Sequence, residues 1–418
     1  MDKEIYEQVR KHIREGWELC VVHQEKDGEN HEVGVPKPFT APCIRGIFRI
    51  LFYWDIYFTN KGLLADGKYQ LARNNLEDLC YLVDRYGYIP NMTEDTCVNR
   101  SQPPLFAAAL QDYVEATGDV AMITEAYPRL QKEYAFWTSD ERVTDTGLSR
   151  YGNMATPEEL YDFYQYIKTR LKLPVETLSR EEEIQRGSNY LTEAETGWDF
   201  TPRFDNRCED FAPVDLNSIL YVTEQTLSAF ARQLGREEEA LRYNQLAERR
   251  RMQLQQYCRD PETGVYYDYD VARGKRADIL TAAAFYPYWA GIETQTQGIP
   301  VLLGALEFSH GISTCEKRPS DRVYQWDYPN MWPPLIHICV LALLRVHLYA
   351  DAQRIGQKYL DTVCEVFAQT GALWEKYDVN TGGIAAHNEY EMTELLDWSA
   401  GAFCDIADRL ASIDEKKI

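Results

Sequence analysis

Amphipathic helical segments succeed one another along this chain, many of them paired by short turns, and no strand-like segment alternates with them. Apolar spacing predicts a helix over 2–16, with Ile5, Val9 and Ile13 at four-residue steps, and another over 65–86 that stops at Gly87. A third is expected behind Pro103-Pro104 to about residue 116, and a fourth from Gly118-Asp119 to Trp137. Further helices are expected over 157–171, 214–234, 236–257, 278–290, 333–349, 351–369 and 393–411. Pro261-Glu262-Thr263-Gly264, between tyrosine-rich flanks, predicts the turn of a short hairpin. This pattern excludes a doubly wound α/β fold, which needs strand and helix in alternation. An open solenoid of helix pairs and an α/α barrel both remain. A solenoid repeats at a fixed period, and no such period is visible here. The connections are instead long, unequal and rich in rings and carboxylates, too aromatic for disorder and of the kind that builds sites. The expectation is an all-α closed barrel with long active-site loops and a few short strands. It forms one catalytic domain over 1–418, in which 1–42 supply an N-terminal helix and the loop leading into the barrel.

Charge and cysteine usage narrow the function. A formal net charge of −22 repels nucleic acid and anionic membrane surfaces, and disfavours a strongly anionic substrate. The 29 Tyr and nine Trp supply rings suited to a molecule with apolar C–H faces and hydroxyls, although most rings in any chain are core. Ten Cys occur without a Cys-x-x-Cys, and the seven His without a His-x-x-x-His, so neither a structural metal nor a disulfide framework is expected. The N-terminus lacks an apolar signal core, and no apolar run reaches the roughly 18 residues of a membrane span. The expected compartment is the reducing cytoplasm. The expected partner is a small neutral sugar, bound by a monomer or small homo-oligomer.

Chemistry concentrates in Glu195-Thr-Gly-Trp-Asp-Phe-Thr-Pro-Arg-Phe204. Asp199 sits there between Trp198 and Phe200, in a turn bracketed by Gly197 and Pro202. A carboxyl among rings loses solvation on ionising, so its pKa rises and it can act as a proton donor near neutral pH. Three other stretches share this character: Tyr324 to Pro334, Trp374-Glu375-Lys376-Tyr377-Asp378, and His387-Asn388-Glu389-Tyr390 with Trp398 behind it. Glycoside hydrolysis with inversion needs two carboxyls about 6.5–9.5 Å apart, one protonating the leaving oxygen and one deprotonating a water. Spacing in the chain does not choose the pair.

These motifs, taken together and in order over residues 45 to 405, resemble the trehalase family of inverting glycoside hydrolases. Phe52-Tyr53-Trp54-Asp55-Ile56-Tyr57-Phe58-Thr59 is similar to its first signature, and Gln325-Trp326-Asp327-Tyr328-Pro329-Asn330 to its second. Ile89-Pro90-Asn91 with Arg100-Ser101-Gln102-Pro103-Pro104 keeps the family spacing. The resemblance implies an (α/α)6 barrel, with Asp199 as general acid and Glu389 as general base, and no metal or cofactor. It implies sugar contacts from Phe48, Trp54, Asp55, Asn91, Arg100, Gln102, Glu159, Gly197 and Trp326. The chain departs from the pattern at arginines: Ile47 and Glu94 stand where the family has Arg, and Thr156-Pro157-Glu158-Glu159 replaces an Arg-Pro-Glu context. The glycine-rich approach to Glu389 is altered at 381–388, a segment with the character of a lid. The expected reaction is hydrolysis of α,α-trehalose, or of another α-glucoside such as a disaccharide or glucosylglycerate. A sugar-binding barrel without turnover and a helical scaffold for protein partners are the rivals.

Overall fold

A computed structural model describes residues 2–319, 322, 324–385 and 394–415. Among them are fourteen α-helices: α1 (Lys3–Leu19), α2 (Asp55–Ala65), α3 (Tyr69–Tyr86), α4 (Phe106–Thr117), α5 (Val120–Trp137), α6 (Pro157–Arg170), α7 (Arg180–Glu195), α8 (Val214–Gln233), α9 (Glu237–Gln253), α10 (Tyr286–Ala290), α11 (Ile299–Leu306), α12 (Pro333–Arg345), α13 (Tyr349–Thr370) and α14 (Asp397–Glu415). Helix α2 packs on α4, α4 on α8, α8 on α10, α10 on α12, α12 on α14, and α14 back on α2. That closed circuit of six is the inner ring of an (α/α)6 barrel. Helices α1, α3, α5, α9, α11 and α13 lie outside it.

The two rings differ in side-chain pattern for a physical reason. An inner helix is covered on all sides, so Pro333 through Leu343 of α12 are all buried, as are Asp55 through Leu63 of α2. An outer helix buries one stripe, as α13 does with Ala352, Ile355, Tyr359, Leu360 and Val363. Charges trapped within the inner ring are paired: Lys61 of α2 with Asp112 of α4 at 2.7 Å, and His337 of α12 with Asp405 of α14 at 2.7 Å.

The hairpin α6–α7 is additional to the six pairs. It carries a small apolar core of its own, in which Tyr164, Ile167, Tyr190 and Ala194 pack with Phe200 and Tyr324. Both its helices begin with reciprocal caps, Thr156 with Glu159 and Ser179 with Glu182.

The strands are short and antiparallel: β1 (Val21–Val22) with β2 (Phe39–Thr40), β3 (Phe211–Ala212) with β4 (Tyr269–Asp270) and β5 (Lys275–Arg276), and β6 (Asn330–Met331) with β7 (Tyr377–Asp378). The last pairing sets Asn330 opposite Asp378 and Met331 opposite Tyr377. It fastens the loop before α12 to the loop after α13. The expected 261–264 turn is present, with the Gly264 N–H donating to the Asp260 carbonyl at 2.8 Å and the Asp260 N–H to that of Val265 at 2.7 Å.

Candidate active site

The loops that enter α2, α4, α8, α12 and α14 converge at the N-terminal end of the inner ring, around a cavity of about 480 Å³. Its floor is aromatic. The Trp326 and Trp332 rings stack 3.7 Å apart, and Trp54 meets Trp326 at 5.9 Å and Trp398 at 6.0 Å; Trp198, buried behind the lining, stacks on Trp326 at 5.7 Å. Such faces suit the C–H surface of a pyranose ring, while the polar groups between them suit its hydroxyls.

Asp199 stands in the wall of this cavity. Helix α7 ends at Glu195, and Gly197 turns the chain at φ +76°. A Cβ at Gly197 would lie 2.9 Å from the Trp54 ring, so the position needs glycine for space as well as for conformation. Trp198 and Phe200 are both fully buried, whereas the Asp199 side chain keeps 35% of its surface open. That surface faces the cavity, so the carboxyl is deep in the protein and still reachable. Burial raises its pKa above the ordinary carboxylate range, with Arg170, Arg100 and Lys376 opposing the rise. Of these opposing charges, Arg170 Nη2 lies 3.6 Å from Asp199 Oδ2.

The loop around the acid is held from both sides. The Thr201 N–H donates to Glu193 Oε1 at 2.7 Å and the Trp326 N–H to the Phe200 carbonyl at 3.0 Å. Beneath it, the guanidinium of Arg203, fully buried, binds Asp215 through both Nη atoms and Asp268 through Nε and Nη2, at 2.7–2.9 Å. Glu195 ties the neighbouring loop to α7: it accepts two hydrogen bonds from Arg142 and one each from the Ser101 and Gly152 N–H groups. Ser101 lies between Arg100 and Gln102, and both of these line the cavity.

Eight further sugar-contact candidates from the sequence are placed as follows. Phe48, Trp54, Asp55, Asn91, Arg100, Gln102, Gly197 and Trp326 all line the cavity with Asp199. Gln102 Oε1 accepts from the Trp54 N–H at 3.1 Å, and Asn91 Nδ2 donates to the Ser101 carbonyl at 3.1 Å, so these two also fix the loop that presents them. Asp55 lies against Asp397, which takes a hydrogen bond from the Thr59 hydroxyl. Burial, and then the neighbouring acid, push the Asp55 pKa well above the ordinary range; burial lifts Asp397 to about 7. Both carboxyls of the pair are thus held above the ordinary carboxylate range.

Glu159 does not line the cavity. Its carboxylate accepts from the Thr156 N–H at 2.7 Å and from the Thr156 hydroxyl at 2.7 Å, closing the cap of α6. A Glu three residues after a Thr at a helix start satisfies an exposed donor locally, and that local demand is what the position serves. Glu389 lies outside the described residues, as do 386–388 of the altered segment 381–388 that precedes it. Two acidic lining residues were not among the sequence candidates. Glu94 lies on the loop between α3 and α4. Glu375, 2% exposed, sits beside the fastened β6–β7 pair, with its Oε2 3.7 Å from Lys376 Nζ. The signal for Glu375 was present, since Trp374 and Tyr377 frame it as Trp198 and Phe200 frame Asp199. Phe163, Tyr166 and Arg170 of α6 line the cavity too. The spacing i, i+3, i+7 puts them on one helix face, a pattern visible only once the face is known to be turned inward. Among the described residues no group of His, Cys, Asp and Glu has the arrangement of a metal site.

The family model for trehalase matches residues 2–410. The chain belongs to the trehalase family. Membership makes it a glycoside hydrolase on an (α/α)6 barrel, in agreement with the motifs. It is 31% identical over 419 residues to a periplasmic trehalase of Pseudomonas aeruginosa, a match covering 93% of this chain and 74% of that protein. It is 30% identical to a putative periplasmic trehalase of Salmonella typhi, over 96% of this chain and 73% of the relative. Among solved structures, the neutral trehalase Nth1 of Saccharomyces cerevisiae superposes with a TM-score of 0.76 at 23% identity, covering 95% of this chain and 77% of that one. A mannosylglycerate hydrolase of Thermus thermophilus shares the fold, with a TM-score of 0.64 at 18% identity over 96% of this chain and all of that one. The expectation of a cytoplasmic compartment is overturned by these relatives, several of which are named as periplasmic. Nine of its ten free thiols are buried, so cysteine usage did not report the compartment.

Proposed function

We propose that this protein hydrolyses α,α-trehalose to two glucose molecules, with inversion at the attacked carbon. Asp199 gives its proton to the glycosidic oxygen. A second carboxylate takes a proton from the water that attacks the anomeric carbon from the opposite face. The observation that supports this most is the shared cavity: an acid of raised pKa and a second buried carboxylate open onto one ring-lined space sized for a disaccharide. We assign the base to Glu375 in preference to Glu389. Burial and then Asp397 raise Asp55 above the ordinary carboxylate range, and Glu94 is only half-buried, which leaves Glu375 as the buried lining carboxylate suited to the role among the described residues. Its Oε2 lies 3.7 Å from Lys376 Nζ.

Two measurements test the assignment. Asp199→Asn is expected to abolish turnover while trehalose still binds, as followed by calorimetry; wild-type binding without turnover on any sugar would support the non-catalytic reading instead. Glu375→Gln is expected to lose on the order of a hundredfold to ten-thousandfold in kcat, the usual scale for general-base catalysis. An equal loss in Glu389→Gln with little loss in Glu375→Gln would return the base to Glu389. Inversion has its own signature: freshly formed product is one α-glucose and one β-glucose per trehalose by NMR, because only the attacked centre inverts.

The alternative substrate is another α-glucoside, favoured by one feature: Ile47, where the family has Arg, is 73% exposed on the cavity rim. Glucose release from trehalose, kojibiose, maltose, sucrose and glucosylglycerate decides between them. Negligible turnover of trehalose beside brisk turnover of another sugar would remove trehalose.

A further inference from the structure

We infer that Arg170, on the cavity face of α6, is the group that holds the departing sugar beside the acid. The inference rests on the proposed glucosidase reading and deepens it. Arg170 is the last residue of α6, and it belongs to the hairpin that is additional to the six barrel pairs. Its guanidinium lies 3.6 Å from the Asp199 carboxyl, with its carbon 5.3 Å from the centre of the Phe200 ring and 6.0 Å from that of Tyr166. The two rings flank a side chain that keeps only 14% of its surface open, so a flexible group is confined before substrate arrives.

Position says which sugar it meets. Trp54 and Asp55 are almost wholly buried on the inner ring, and the ring to be attacked fits against them. Asp199 has to reach the oxygen between the two sugars. The leaving sugar then lies on the far side of Asp199 from Trp54, toward the open rim, where the half-buried Phe163 and the exposed Tyr166 offer ring faces and Arg170 offers a fork of N–H donors. The chain lacks an arginine at position 156, where its family resemblance leads one to look for one, and Thr156 caps α6 instead. A guanidinium thus reaches the cavity from the other end of the same helix. Arg170 also acts on Asp199 electrostatically, because a cation near a carboxyl favours ionisation and moderates the effect of burial. Arg100 and Lys376 act on Asp199 in the same sense from the opposite loops.

The test compares trehalose with α-glucosyl fluoride, whose leaving group needs neither a proton nor a sugar pocket. In Arg170→Gln, kcat/KM is expected to fall on the order of tenfold to a hundredfold on trehalose, the scale of one lost hydrogen bond to a charged group. The fall on the fluoride should be at least tenfold smaller. The alkaline limb of the trehalose profile should move to higher pH, since the acid keeps its proton longer without that cation. Arg170→Lys should restore the limb but not the apparent affinity, because an ammonium lacks the planar fork. Equal losses on both substrates would show that Arg170 only supports the fold and would overturn the inference, as would no loss on either. If the wild type turns over neither compound, the glucosidase reading itself falls, and this assignment falls with it.

Discussion

Asp199 serves as an acid only while it carries its proton, and its surroundings set how long it does. Burial raises its pKa, so kcat/KM should hold through mildly acidic pH and decline as pH rises through that raised value. A profile whose alkaline limb does not move between wild type and Arg170→Gln would separate that limb from Asp199. The Asp55–Asp397 pair makes a second statement about pH, this time about stability. The folded pKa of Asp397, about 7, lies above its ordinary 3.8. A carboxyl raised in this way destabilises the fold where it must ionise, so its contribution is full below about pH 4 and is lost as pH rises toward 7. Asp397→Asn cannot ionise, and the difference in unfolding free energy between variant and wild type should therefore drift in favour of the variant across that window. A constant difference from pH 4 to 7 would refute the raised pKa of Asp397. At this scale the sequence was informative where an acid is framed by rings. Asp199 stands out for that reason, and Glu375, with Trp374 before it and Tyr377 two residues on, lies in a stretch of like character to which no role is assigned. Glu159 misled because its chemistry is local: a helix cap and a sugar ligand both ask for a carboxylate, and only the direction of the side chain distinguishes them.

Elements carry the site by being tied at both ends of each loop. The acid loop rests on Arg203, whose two carboxylate partners come from the first turn of α8 and from the residue just before β4. Removing the cation leaves Asp215 and Asp268 buried and uncompensated. Arg203→Met should cost on the order of 3–5 kcal/mol in thermal or urea unfolding, and should lower kcat even where the fold survives, because Trp198 packs 4.5 Å above the guanidinium. Unchanged stability would mean that the two carboxylates take up protons or water at little cost. Most outer helices were legible from their apolar stripes, and α3, α5 and α13 fall within a few residues of expectation. The missed helices each lack a readable apolar stripe, for different reasons. Helix α2 is buried all round, so Asp55 to Leu63 shows no periodic polar face and reads as an aromatic run. Helix α7 opens with Arg-Glu-Glu-Glu and reads as a solvated charge run, although Tyr190 to Glu195 is entirely buried beside the acid. Helix α11 has only eight residues, too few to establish a period.

The whole molecule imposes a condition of its own. A net charge of −22 surrounds a cavity whose described lining includes Arg100 and Arg170 as well as Asp55, Glu94, Asp199 and Glu375, so acids outnumber bases there too. An uncharged disaccharide diffuses toward such a surface without being steered, whereas a glycosylated acid is repelled over distances set by salt. The screening length shrinks from about 30 Å at 0.01 M to about 8 Å at 0.15 M ionic strength. Steering therefore appears as a salt-dependent kcat/KM, and its absence as a flat one. For trehalose we expect kcat/KM to stay within about twofold across that range, provided pH is held where Asp199 keeps its proton. A carboxylated glucoside such as glucosylglycerate should gain from added salt while remaining the poorer substrate. The opposite pattern, a glycosylated acid that is turned over faster than trehalose and loses rate as salt is added, would mean that Arg100 and Arg170 outweigh the surrounding field, and that the departing group is charged.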